Sequence, residues 1–553
     1  MPPTSPGPRV PRRVVLRSGA IAVGVAAFGT SVPASAVPAA FAHGIASGDP
    51  LPDRVILWTR VTPSPESTPG SGLGPDTAVR WEVASDESFR EVTASGTVTA
   101  TAADDHTVKV DATGLDPDTT YFYRFTVVGS GAVSPIGRTR TAPADDTSPD
   151  RLRFGVVSCA NWEDGYFSAY RHLAAHTDLD AIVHLGDYLY EYATGEFAPR
   201  SGPVRRHAPL HETVTLTDYR IRHGEYKTDP DVQALHARLP WIVTWDDHES
   251  ADNAWSGGAE NHEPAIEGSW ADRIAASRRA YLEWMPVRTT GADPRLYRRL
   301  RFGDLAELSM LDLRSYRSTQ AHFGSGVRAV DDPARTITGA EQMAWLTAGI
   351  TSSPTRWQLV GNPVMFSPLL VPPLDAHTTA ALTELLGVPS TGVPVNLDQW
   401  DGYAADRRRV LDAITAAGRR NVVFLTGDIH TSWACDVPVD PAAYPAAGTA
   451  ATELVVTSVT SQNIDDLLGI PPRTSSPGIE SAIRELNRHV RYVELDSHGF
   501  AVLDVTPDAV QMDWMYVLDR ADPATPARYG ASMRVAAGSA RVEPAAPLGD
   551  VVR

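Results

Sequence analysis

Five apolar runs in this sequence end on residues of the types that bind metals. Phe154-Gly-Val-Val-Ser158 leads into Cys159, Ala181-Ile-Val-His-Leu-Gly186 into Asp187, and Trp241-Ile-Val-Thr-Trp245 into Asp246-Asp247-His248-Glu249. Asn421-Val-Val-Phe-Leu-Thr-Gly427 leads into Asp428-Ile429-His430, and Trp357-Gln-Leu-Val-Gly361 into Asn362. Any chain turns polar where a strand ends, so one such run says little. Five dominated by Asp, His and Cys say more, because carboxylate, imidazole and thiolate are the ligands of metal centres. Tyr190, three residues after Asp187, adds a phenolate to the set. Soft thiolate, hard phenolate and imidazole together suit a redox-capable ion better than Mg²⁺ or Ca²⁺; an oxygen-rich group suits Ca²⁺. Taken singly, Cys159 would read as an inert buried cysteine and His248 as a structural hydrogen-bonder.

Ligands in open α/β sheets bind beyond the carboxyl ends of the strands, so these residues require a sheet whose strands end on one side. The grammar beyond about residue 150 supplies one. Short apolar runs alternate with amphipathic stretches such as Tyr166 to His176, Trp270 to Trp284 and Asp406 to Ala416, the α/β pattern. From 42 to 142 the chain reads differently. Val55 to Val61, Ala78 to Ala84, Thr107 to Val110 and Tyr121 to Val128 are short β-branched or aromatic runs parted by turn residues, which predicts an all-β sandwich. The phrase from Gly114 to Tyr121 resembles a fibronectin type III turn, and Ala142 to Asp150 makes a linker. At 553 residues, two or more domains are expected.

The first residues read as a targeting segment. Arg12-Arg13 precedes an apolar stretch, roughly Gly19 to Phe28, that is too short to span a bilayer, and Ala34-Ser35-Ala36 has the form of a cleavage site. Residues 1–36 are therefore expected to be a twin-arginine signal peptide and the mature chain to be secreted. The formal charge of −18 argues against nucleic acid or an anionic membrane as a default partner. A phosphate-bearing substrate would need local compensation by metals or arginines. Two cysteines, Cys159 and Cys435, are fewer than a disulfide-stabilised exported protein usually carries, although one bridge between them stays open.

Gly186-Asp187-Tyr188-Leu189-Tyr190, Trp245-Asp246-Asp247-His248-Glu249 and Gly427-Asp428-Ile429-His430 together resemble the calcineurin-like metallophosphoesterases, and more narrowly the PhoD-type alkaline phosphatases. Leu311-Asp312-Leu313-Arg314-Ser315-Tyr316-Arg317 and Asp398-Gln399-Trp400-Asp401-Gly402-Tyr403 extend the likeness, which runs from about Gly44 to the low 500s. The resemblance implies an α/β fold, a sandwich of two mixed β-sheets flanked by helices, over 150–525. It also implies an Ig- or fibronectin-like sandwich ahead of it and a tail, 526–553, placed to close over the site.

By the same resemblance Fe³⁺ would be held by Cys159, Asp187, Tyr190 and His430. Ca²⁺ would share Asp187 and draw on Asp247, Asp428 and Asn362. Most calcineurin-like enzymes carry Asp-x-His on the first strand; Ser158-Cys159 stands here, and Asp428 replaces a frequent His. Both departures point away from the dimanganese and dizinc relatives. His248 would act without binding metal, protonating the leaving alkoxide or contacting a phosphoryl oxygen. Arg220, Arg314 and Arg317 are candidates to hold substrate phosphate through guanidinium forks. The reaction implied is hydrolysis of phosphomonoesters and phosphodiesters by metal-activated hydroxide. Phospholipase D activity on phosphatidylcholine-type lipids is the alternative, decided by pocket walls at Val371 to Leu386 and Asp465 to Arg488. A non-catalytic surface-binding protein is a distant third, since every ligand stands in order. A monomer is expected, with no partner chain.

Overall fold

In the computed structural model, which describes residues 39–289, 295–321, 327–370 and 393–549, the apolar runs become inner strands of two mixed sheets. Leu152–Val157, Ala181–Leu185 and Pro240–Thr244 lie side by side and parallel in a ten-stranded sheet. Ala306–Met310, Trp357–Asn362, Val422–Thr426 and Thr449–Val455 do the same in a seven-stranded sheet. The two sheets face one another across a shared core in which Phe154, Val183 and Ile242 join Leu308, Leu359 and Leu425.

Successive residues of a strand point to opposite faces, and both faces here are covered. Val157, Ile182 and Val243, one step along from the core residues, pack instead with Leu173, Leu235 and Tyr281 on three helices. That is why these strands read as continuous apolar runs without alternation. Each helix has a local reason to start where it does. Asp229 caps Pro230–Arg238, with Pro230 in the first turn, and the Ser269 side chain accepts from Asp272 N at the head of Trp270–Trp284. On the far face of the second sheet, Val360 and Phe424 pack against Leu346 and Ile350 of Gly339–Ser352 and Val410 and Leu411 of Ala404–Ala416.

The strands expected before residue 142 are present, with a different boundary. Thr77–Ala84, Val92–Ala100, Thr120–Val127 and Gly137–Arg140 form a four-stranded antiparallel sheet. Val79, Val83, Tyr123 and Phe125 of that sheet share a core with Ile45, Val55, Leu57 and Val108. The strands bearing the latter, Ile45–Leu51, Arg54–Arg60 and Thr107–Thr113, belong to the ten-stranded sheet. Ser47 and Gly48 pair in parallel with Pro240 and Trp241. Gly48 permits this approach, since a Cβ there would lie 2.8 Å from Trp241 O and 2.0 Å from Pro286 O. The hydrogen-bonded ladder therefore runs from the strands of 42–142 into those of 150–525, and the described residues form one compact unit.

In the tail expected over 526–553, Ala527–Ala536 and Val542–Pro544 are the two outermost strands on one edge of the ten-stranded sheet, the first paired with Ala509–Val517 and the second with the first. The expected signal peptide, 1–36, and the expected wall at 371–386 lie outside the described residues. The other wall, 465–488, carries the helices Ile464–Leu468 and Ser476–Leu486. Among the described residues no helix is long and apolar enough to cross a membrane. Cys159 and Cys435 are both buried and free, so no bridge joins them.

Candidate metal centre

The strand ends bring the predicted ligands together. Ligand atoms of Cys159, Asp187 and His430 lie within 4.8 Å of one another, and so do those of Asp187, Asp247 and His248. Asp187 is common to both groups. Its Oδ2 accepts from the Tyr190 hydroxyl at 3.2 Å, and that hydroxyl lies 3.2 Å from His430 Nε2. Its Oδ1 is buried without a hydrogen-bond partner. A buried carboxylate oxygen with nothing to accept from is costly, and a cation is the ordinary remedy.

Four of these residues hold backbone shapes that side-chain-bearing residues seldom adopt. Cys159, Asp187, Asp428 and His430 have φ of 57°, 55°, 63° and 58°, in the left-handed region. Each follows a strand and turns the chain sharply, which aims its side chain across the strand ends. Strain of this kind collects at functional sites and persists where the surroundings over-determine it. Glu249 supplies part of that determination: its carboxylate accepts from Asp187 N (3.2 Å), Tyr188 N (2.7 Å) and Asp246 N (2.9 Å), tying two strand ends together.

The electrostatics favour a cation. Burial, with Asp187, Asp428 and Asp246 nearby, pushes the Cys159 thiol well above its ordinary range. Burial and neighbouring carboxylates likewise push Asp187 well up, burial and then Asp187 do the same to Tyr190, and Asp428 rises to about 7 through burial and Asp398. Thiolate, phenolate and carboxylates crowded in this way need positive charge to coexist. His430 is suited to ligate. Burial holds it down at about 4, hence neutral, and its Nδ1 hydrogen-bonds Gln462 O at 2.6 Å, which turns Nε2 toward Tyr190. The residues therefore fit a binuclear centre, thiolate- and phenolate-rich on one side of Asp187 and oxygen-rich on the other.

His248 stacks on Tyr190 at 4.2 Å between centroids, and its Nδ1 lies 2.8 Å from Glu191 Oε2. Burial alone would discharge it; Asp247, Glu191 and Asp187 outweigh burial and hold its pKa well above the ordinary value. His248, expected to act without binding metal, has its ring as near Asp187 and Asp247 as a ligand would be.

Other expected residues stand elsewhere or are engaged. Asn362 Oδ1 accepts from Trp400 Nε1 (2.9 Å) and its amide donates to Thr426 Oγ1 (2.9 Å), so its polar atoms bind the fold around the site. Arg314 reaches the site but forks onto two carboxylates, Asp246 and Asp398, with Asp247 at 3.5 Å and Asp428 at 3.8 Å. Arg317 donates to Asp398 and is fully buried. Both balance the acidic cluster, where a phosphate-binding role had been expected. Arg220 is away from it altogether, forked onto Glu283 at 2.7 Å and bonded to Ala103 O. The phrase around Trp400 finds its reason here as well. Asp398 anchors both arginines, Gln399 donates to Asp428 (3.2 Å), and Trp400 holds Asn362.

Three positioning groups escaped sequence reading. Glu191 orients His248 and also accepts from Asp252 N and Asn261; its place beside Tyr190 was the available signal. Ser461 donates to Cys159 O (2.9 Å) and lies 2.6 Å from the Tyr190 hydroxyl, and Gln462 acts through its backbone. Neither of the last two has a residue type or spacing that marks it.

The profile of PhoD-like phosphatases matches residues 154–514, and that of the PhoD-like phosphatase N-terminal domain matches 27–143. The chain belongs to the PhoD-like phosphatase family and is a hydrolase acting on phosphoric ester bonds. It is 37% identical to alkaline phosphatase D of Bacillus subtilis (strain 168) over 483 residues, which covers 86% of this chain and 77% of the relative. A solved structure of PhoD superimposes with a TM-score of 0.80 at 34% identity, covering 94% of each chain.

Proposed function

We propose that this chain is a secreted phosphohydrolase that cleaves both phosphomonoesters and phosphodiesters at a binuclear Fe³⁺–Ca²⁺ centre, on a fold of the metallophosphoesterase type. The observation that carries the reading is Asp187, one buried carboxylate shared by two ligand groups with one oxygen unpartnered. Cys159, Tyr190 and His430 would hold the iron with Asp187; Asp247 and Asp428 would hold the calcium with it. When bound, the ions supply Lewis acidity toward the phosphoryl oxygens and lower the pKa of the attacking water.

The chain's own residues do the rest. Asp428 and His430 are half-buried while the remaining ligands are buried, so substrate would approach from their side. His248, held in its charged form by three carboxylates, is placed to give a proton to the leaving oxygen. Glu191 fixes the ring through Nδ1, which leaves Nε2 as the donor. Arg314 offsets the repulsion among Asp246, Asp247, Asp398 and Asp428, so that the carboxylates keep their places as phosphate arrives.

The test is metal analysis alongside a substrate panel. Purified protein is expected to contain iron and calcium, to absorb visible light through phenolate and thiolate bound to Fe³⁺, and to hydrolyse a soluble monoester and a soluble diester. An active preparation without iron would refute the iron assignment. Faster turnover of phosphatidylcholine than of either soluble ester would replace the reading by phospholipase D. Asp187→Asn is expected to lose turnover and both metals together; full turnover in that variant would remove Asp187 from the bridging position.

A further inference from the structure

A second cluster of charge lies at the opposite end of the parallel strands. The helix Ser168–Ala175 ends where the chain turns back toward Ala181, and Pro230–Arg238 ends two residues before Pro240. Their last turns and the strand Gly137–Arg140 enclose a groove of about 570 Å³. The metal-site residues follow the carboxyl ends of the same strands, so the groove and the site are separated by a strand length, roughly 17 Å for five residues.

Three arginines line this groove: Arg138, Arg171 and Arg238. Fully buried guanidinium groups such as those of Arg273, Arg314 and Arg317 are paired with carboxylates, and the half-buried Arg335 and Arg419 donate to backbone carbonyls. Among the described residues Arg138 has only the Thr120 hydroxyl, at 3.4 Å. Arg238 makes no hydrogen bond or ion pair among the described residues, and its Nε is buried without a partner. Arg171 shares its donors among Asp231 at 3.4 Å and the carbonyls of Pro523 and Thr525. Burial and the charges of Arg238 and Arg140 pull the Arg138 guanidinium below its ordinary value, with Asp180 opposing. Glu87 stands on the wall, exposed, and forms no ion pair with any of the three. Two like charges kept together, half-buried and without a carboxylate, are unfavourable unless an anion joins them. The remaining walls are apolar: Phe122, Ile136 and helix alanines.

We propose that this groove is a binding site for an organic anion, an oxyanion head held between Arg138 and Arg238 with an apolar substituent lying along Phe122 and Ile136. The head needs planar or tetrahedral oxygens to meet two guanidinium forks, which a phosphonate, sulfonate or carboxylate provides. The substituent is short, because the floor is built of alanines and one phenyl ring. The acidic surface of the whole chain does not attract such a ligand; the local pair of forks does.

Hexanesulfonate is the probe, since it has no phosphoester bond for the catalytic site to cleave. Calorimetric titration of the purified enzyme is expected to show one site, with hexanesulfonate binding about tenfold or more tighter than methanesulfonate, because five methylenes add buried apolar surface. Arg138→Gln/Arg238→Gln is expected to weaken hexanesulfonate at least about tenfold while hydrolysis of 4-nitrophenyl phosphate stays unchanged. Ile136→Asp, at a position 42% exposed and therefore tolerant, is expected to abolish the preference for the longer chain. That variant decides the matter should the double variant not fold. Vesicles of phosphatidylglycerol form a further arm. Co-sedimentation that is lost in the double variant assigns the head group to a lipid, and hexanesulfonate binding without co-sedimentation assigns it to a free anion. No binding to the wild-type enzyme at 10 mM hexanesulfonate, roughly the weakest affinity a specific site would show, overturns the proposal. Equal binding by wild type and variants overturns it as well.

Discussion

Asp187 occupies a position where few side chains would persist. Its backbone is left-handed, one carboxylate oxygen meets Tyr190, and the other has no hydrogen-bond partner among the described residues. Such a residue is explained by what it holds rather than by what it packs against. Arg220 is the converse case, since its type suggested phosphate and its surroundings give it a structural partner in Glu283. Arg220→Gln is expected to leave KM for a soluble monoester within about twofold and to lower unfolding stability by about 2 kcal/mol, because Glu283 loses its fork and keeps only Arg279, at 2.8 Å. Steady-state kinetics and urea unfolding check both halves; a tenfold rise in KM would return Arg220 to the site. The contrast marks what residue types convey. Thiolate, phenolate, imidazole and carboxylate have few structural uses when grouped, so the ligands were legible. Guanidinium has many, and its role is decided by neighbours that sequence does not place.

Strand ends are the elements that build the site, and glycine sets one of them. Gly186 has φ of 110°, and a Cβ there would stand 2.7 Å from the Asp246 Cβ. Gly186→Ala is expected to separate the Asp187 turn from the Asp246 turn and slacken the Glu249 link between them. Loss of about a hundredfold in kcat follows if the ligands move by an ångström, together with reduced metal content. Wild-type kcat and metal content would show that the two turns are independent. The inner strands and the helices 270–284 and 404–416 were legible because both faces of each strand are buried and each helix carries a continuous apolar stripe. Ile45–Leu51 and Val92–Ala100 were not. The first is IASGDPL, with Gly48 and Pro50 where β-branched residues would be expected, and it becomes a strand by adding to an existing edge. The second is mostly exposed and polar, so alternation left no apolar signal.

Across the whole molecule, an acidic surface encloses uncharged bases. His43, His184, His223, His236 and Lys227 gather around Trp58, Trp241, Trp284 and Tyr188, and burial drives each of them toward its neutral form. His43 falls from 6.5 to about 3, through burial and then the charge of Arg60. Its folded pKa is below the unfolded value, so the unfolded chain alone takes up a proton between those limits. The stability tied to it is complete above pH 6.5 and is lost toward pH 3. His43→Phe keeps the ring against Trp284 and removes that proton. Relative to wild type it is expected to gain about 2 kcal/mol on going from pH 7.5 to pH 5, measured by urea unfolding at each pH. A gap that does not change with pH would show His43 to be charged or solvated in the fold. The parallel pairing of Ser47 and Gly48 with Pro240 and Trp241 has a separate consequence. Two family profiles meet near residue 150, yet the ladder crosses that boundary. A chain begun at residue 144 would bare the Pro240–Thr244 strand along one side, five buried residues with unpaired amides and carbonyls. It is expected to self-associate on expression, whereas the chain from residue 37 remains monodisperse by light scattering. What matches two profiles is thus joined by one ladder, and engineering that swaps the pieces must carry the seam with it.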